Sequence, residues 1–151
     1  MNEMIEATVD PASLAILHDL VRREGRSLLQ YVSESFPWTT PDERAALLEF
    51  QKIVDEDLEG AARIARFLNR HKVRTGGPLG PFPMAFTNIN YMSLEHLLPI
   101  LQDNQRRRID ELTADLKKVA DPECRRHLEA FIDLKRRHLA RLESMLRPLA
   151  S

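Results

Sequence analysis

A chain of 151 residues is long enough for one domain that buries most of its apolar surface, and too short for two. Its 43% hydrophobic and 30% charged content excludes intrinsic disorder, and the lack of any run of about 18 apolar residues excludes a membrane-spanning helix. With 22 basic against 23 acidic residues there is no charge excess to draw nucleic acid or an anionic membrane, and a single cysteine, Cys124, excludes an internal disulfide and a cysteine-based zinc site.

The first residues, Met1 to Glu6, are acidic and lack the pattern of a secretory signal, so the cytoplasm is the expected compartment. Asp10-Pro11 then marks a helix start, an N-cap carboxylate followed by a proline whose missing N–H costs nothing. The pattern predicts a helix over 11–35 with an inward seam Leu17, Val21, Glu24, Leu28, Tyr31. Glu24 therefore stands among apolar side chains. Gly25 beside it disfavours a mid-helix by about 1 kcal/mol relative to alanine and permits a local irregularity.

Thr40-Pro41-Asp42-Glu43 is a capping box, and it opens a second helix predicted over 41–71. The short connector before it makes the first two helices antiparallel neighbours. The second seam runs Ala46, Phe50, Ile53, Asp57, Gly60, Ile64, Phe67, with Gly60 read as a close helix crossing. Glu56 flanks this seam and is expected to face solvent. From 72 to 89 the chain holds three of the five glycines and three of the nine prolines, which predicts a loop. Extended, its 18 residues reach roughly 55–60 Å, more than the roughly 42 Å of a 28-residue helix. The loop can cross the length of a bundle, pinned by Phe82, Met84, Phe86 and Ile89.

A third helix is predicted over 90–119, beginning at Asn90 or Ser93, with Pro99 imposing a kink or a late start. Its seam is Leu94, Leu98, Leu101 or Gln102, Gln105, Ile109, Leu112, Leu116, with Asp103 slightly off the face. Arg106, Arg107 and Arg108 are consecutive, spread around the helix, and read as a solvated or ion-paired set. Asp121-Pro122 starts a fourth helix over 122–147, with Pro148 as its stop. The fourth seam is Leu128, Phe131, Lys135, His138, Leu142, Met145.

Short, long and short connections between four helices predict an all-α, up-down-down-up bundle with one crossover. All four seams are interrupted near mid-length, by Glu24, by Asp57 and Gly60, by Gln102, Asp103 and Gln105, and by Lys135 and His138. These interruptions should share one layer. A buried ammonium without a partner costs several kcal/mol, so Lys135 is expected within salt-bridge distance of Glu24 or Asp57.

With this polar layer and topology the chain resembles the ferritin-like superfamily, the group of ferritins and rubrerythrins. Glu24 followed by Tyr31 is similar to that family's first-helix glutamate and its aromatic partner two turns on. The stretches Ser27 to Trp38 and Phe86 to Pro99 also resemble small bacterial ferritin-like proteins. The resemblance implies a carboxylate-bridged di-metal site, with a Glu from each of two helices and Glu-x-x-His from each of the others. The departures are specific. Asp57-x-x-Gly60 and Lys135-x-x-His138 stand where Glu-x-x-His belongs, and glutamines stand where the third helix should offer a carboxylate.

The expected function is therefore a non-catalytic structural or interaction module with a degenerate metal site, marked by Glu24, Tyr31, Asp57, Gly60, Gln102, Asp103, Gln105, Lys135 and His138. No metal is expected. The alternative is an iron-handling or oxidoreductase protein holding iron or another divalent ion through Glu24, Asp57, Asp103 and His138, with Glu56 in reserve. By the same reading, Lys135→Glu with Gly60→His should recreate much of the ligand set. Nucleic acid and membrane partners are not expected; a homodimer through Trp38 and 79–89 is the candidate assembly.

Overall fold

The computed structural model of the chain describes residues 9–34, 40–75 and 93–150. Its secondary structure there is helical: α1 Pro11–Glu24, α2 Leu28–Glu34, α3 Arg44–Arg70 after a 3-10 turn Pro41–Glu43, α4 Leu94–Leu116 and α5 Pro122–Ala150. The all-α expectation holds. Trp38 and most of 72–89, including Phe82, Met84, Phe86 and Ile89, lie outside the described residues.

Local chemistry sets most helix starts. Asp10 accepts hydrogen bonds from the Ala12 amide at 3.3 Å and the Ser13 hydroxyl at 3.0 Å. The Thr40 amide donates to Glu43 at 2.7 Å, the return arm of the capping box. The Ser93 hydroxyl accepts from the His96 amide at 3.3 Å, and Asp121 accepts from the Cys124 amide at 3.0 Å.

Three predicted boundaries are corrected. The helix over 11–35 is broken: Arg26 N turns back to Arg23 O at 3.0 Å, and the Ser27 hydroxyl then caps α2 by accepting from Gln30 N at 3.2 Å. A glycine with poor helix propensity followed by a good N-cap residue offers the backbone this alternative. The third helix opens at Leu94 with Ser93 as its cap, the later of the two expected starts, and it closes at Leu116 rather than at 119. Pro99 is accommodated inside it, at an exposed position where water reaches the carbonyl the proline cannot serve. Pro148 does not stop α5, which runs to Ala150. A proline in the final turn forfeits one amide hydrogen bond, too little to end a helix already propagated.

Partners across the bundle give the directions. Arg141 meets Glu49, Lys135 meets Asp57 and His127 stacks on Phe67, so α5 runs against α3. Gln102 reaches the carbonyl of Leu142 and Arg125 that of Leu116, so α5 also runs against α4. Arg23 pairs with Asp115, and Ser13 accepts from the amides of Ala120 and Asp121, so α1 runs against α4.

The core is two apolar clusters rather than one. The first holds Leu17 and Leu20 of α1, Ile64, Phe67 and Leu68 of α3, Leu112 of α4 and Leu128, Phe131, Ile132 and Leu134 of α5. The second holds Leu28, Leu29 and Val32 of α2, Phe50, Ile53 and Val54 of α3, Leu94, Leu97, Leu98 and Leu101 of α4 and Leu142 with Met145 of α5. On α3, α4 and α5 polar residues fall between the two sets, and Glu24 ends α1 at the same level.

Candidate functional site

Four buried seam positions converge between the clusters. Glu24 and His138 are 0% exposed, Lys135 is 1% and Asp57 is 2%. The Lys135 ammonium lies 2.6 Å from Glu24 Oε1 and 2.7 Å from Asp57 Oδ1, bridging α5 to α1 and α3. The second oxygen of Glu24 is taken by the guanidinium of Arg108 from α4. Two carboxylates and two cations thus form a neutral quartet to which all four sides of the bundle contribute. Removing one member of such a buried set leaves an uncompensated charge, at about 3–5 kcal/mol.

The protonation states follow from this contest of burial and charge. Burial disfavours the Lys135 ammonium, but the charges of Glu24 and Asp57 outweigh it and hold the lysine above its ordinary 10.5. Burial likewise favours neutral Asp57, yet Lys135 beside it keeps the carboxyl below 3.8. Burial disfavours the Arg108 guanidinium as well, but Glu24 beside it outweighs that and raises the group above its ordinary value. All three are charged at neutral pH.

A chain of polar contacts leads from the quartet to the α3–α5 surface. His138 Nε2 is 3.0 Å from Glu56 Oε1, while its Nδ1 is 3.8 Å from Asp57 Oδ1 and has no hydrogen-bond partner among the described residues. Arg141 donates to Glu56 at 2.6 Å and to Glu49 at 2.6 Å. The Arg141 hydrogen bond, with that of His138, holds Glu56 below the usual carboxylate value. An ionised Glu56 can only accept, so His138 Nε2 carries a proton and donates it in this contact.

The remaining sequence candidates divide. Gln102 donates to the carbonyl of Leu142 at 3.1 Å and Gln105 to that of Lys135 at 3.0 Å, so both tie α4 to the backbone of α5. Asp103 is not in the layer: it is exposed and pairs with Arg106 at 2.9 Å. Tyr31 is half-buried on α2, beyond the break that follows Glu24. Gly60 is the close crossing read from the sequence, since a Cβ there would lie 2.6 Å from Leu134 Cδ2 and 3.1 Å from Phe131. The same contact bears on the expected Gly60→His rebuild, because any side chain there requires those of Leu134 and Phe131 to shift.

Arg108 is the member the sequence reading left out. Steps of four and three from Leu94 through Leu98, Leu101 and Gln105 arrive at Arg108 and then Leu112, so the signal was present. Ile109 is buried as expected, and the partly buried Arg108 beside it shares the inward side of α4. Glu56, expected to face solvent, is partly exposed but also holds His138.

The residues present do not fit the di-metal centre the resemblance implies. Both oxygens of Glu24 face cations, and the ammonium of Lys135 fills the point where Glu24 and Asp57 converge. Asp103 points elsewhere, and His138 directs its N–H to Glu56. Among the described residues no group of three or more His, Cys, Asp or Glu side chains is arranged to hold a metal ion. No described helix is long and apolar enough to cross a membrane. Compared with protein-family models, curated proteins and solved structures, the chain matches none.

Proposed function

We propose that this chain is a ferritin-like bundle in up-down-down-up order in which an ion-pair layer stands in place of the di-metal centre, and that it works as a non-catalytic structural or interaction module. The observation that carries the reading is the Lys135 ammonium, set 2.6 Å from Glu24 and 2.7 Å from Asp57. A cation there supplies the charge that a metal would, and repels one. The shared direction of α3 and α4, both opposed to α5, supports a crossover through 72–89. The cytoplasm is the proposed compartment; the free thiol of Cys124 is buried and pushed up to about 12 by that burial, which keeps it unreactive. Self-association as a homodimer is the proposed assembly, tested by light scattering over a concentration series.

Metal analysis of protein purified without added metal, followed by Fe(II) titration in air, tests the central claim. The expected outcome is no stoichiometric iron and no oxo-bridge absorption. One or two tightly held irons per chain would overturn it.

A further inference from the structure

We propose that α2 is a strap that opens as its own unit, hinged at Gly25–Ser27, and bares apolar surface of α3 and α4 while the charged layer stays closed. Three features of the fold carry this. The helical ladder of α1 ends in the turn at Arg26 and restarts only when Ser27 O accepts from Tyr31 N at 3.0 Å, so motion of α2 need not unwind α1. The residue just before the hinge, Glu24, is anchored by Lys135 and Arg108, and Arg23 is tied to Asp115 at 2.9 Å. Side chains on the two sides of the hinge belong to different apolar clusters, Leu17 and Leu20 to one and Leu28, Leu29 and Val32 to the other.

Length points the same way. At seven residues α2 is too short to hold helical form by itself, whereas α1 has 14. Its order therefore depends on its packing against α3 and α4. Losing that packing melts two turns and exposes Leu28, Leu29 and Val32 with the α3 and α4 surface they cover, an opening smaller than separating α3, α4 and α5, whose contacts cross the charged layer. Local units of this kind sit at the low end of a protein's opening free energies. The strap is thus a built-in point at which the second cluster can be entered without breaking the first.

Native-state hydrogen exchange of the full chain, followed by NMR across a series of low denaturant concentrations, tests this. The amides of Tyr31 to Glu34 should exchange about 100-fold or more faster than the most protected amides between Leu17 and Glu24, with a weaker denaturant dependence. Val32→Ala should speed exchange in α2 further and leave α1 unchanged. Equal rates and equal denaturant dependence in the two helices would overturn the proposal, as would a Val32→Ala variant that accelerates both alike.

Discussion

The charged layer and the apolar clusters beside it are built on the same helices and the same inward seams, yet they hold the bundle together by different physics. In the clusters each side chain removes its own apolar area from water, about 25 cal/mol per Å², nearly independently of what happens a cluster away. In the layer no member is stable alone. Lys135 tolerates burial because Glu24 and Asp57 face it, and Glu24 because Lys135 and Arg108 face it. The comparison teaches that loss should be graded in the clusters and collective in the layer.

The strongest way to break that contrast is Lys135→Met. It leaves Glu24 and Asp57 facing each other across a dry core, and urea unfolding at pH 7 should show a loss of about 3–5 kcal/mol. The loss should shrink on acidification. Without the lysine, burial and like charge drive Asp57 above 3.8, and a carboxyl raised in the folded state recovers stability as pH falls through its new value. Replacing all four members together, Glu24→Leu, Asp57→Leu, Arg108→Met and Lys135→Met, should cost much less than the sum of the four single losses. A Lys135→Met protein as stable as its parent would end the distinction between layer and clusters.

The parent itself should behave differently with pH. Asp57 is held below 3.8, so its stabilisation is complete above that pH and is lost as pH falls toward the depressed value. Lys135 is held above 10.5, so its contribution is complete below 10.5 and is lost as pH rises through the elevated value. Neither group should make stability vary between about pH 5 and 9. A pH series of urea midpoints for the parent and for Lys135→Met separates the flat profile from the sloping one.

In the clusters, Leu17→Ala and Leu142→Ala should each cost about 2–5 kcal/mol, and the double variant should cost their sum, because the two leucines lie in separate clusters. A large coupling energy in that cycle would mean that the layer transmits packing changes. Gly60→Ala, at the edge of the layer, should cost about 1–3 kcal/mol by overpacking against Leu134 and Phe131, visible in the same melts.

The smallest expected effect lies at the end of α3. Lys72 adopts φ 64° where a glycine is usual, while Val73 N bonds to Leu68 O at 2.9 Å to close the helix. Lys72→Gly should raise stability by up to about 1 kcal/mol by relieving that left-handed strain. No change in the thermal midpoint would show the strain to be offset elsewhere.

Helix starts were legible because they are local. Asp10-Pro11, Thr40-Pro41 and Asp121-Pro122 set caps through contacts two or three residues away, and the spacing of Glu24, Asp57, Lys135 and His138 along their own seams put each on an inward face. The partners were not legible in the same way. Lys135 and Glu24 are 111 residues apart, and Arg108 and Glu24 are 84 apart, so who meets whom depends on the height and rotation at which helices pack. Arg108 turned inward beside Ile109, and Asp103 left outside, are matters of a few tens of degrees about α4 that the sequence pattern does not resolve. The break at Gly25–Ser27 belongs to the same class. A capping serine there and a continuous helix are close in local free energy, and the anchoring of Glu24 on one side with the packing of Leu28, Leu29 and Val32 on the other decides between them. The residues chose the faces and the caps; only packing, which sums many weak contacts across the whole bundle, chose the register.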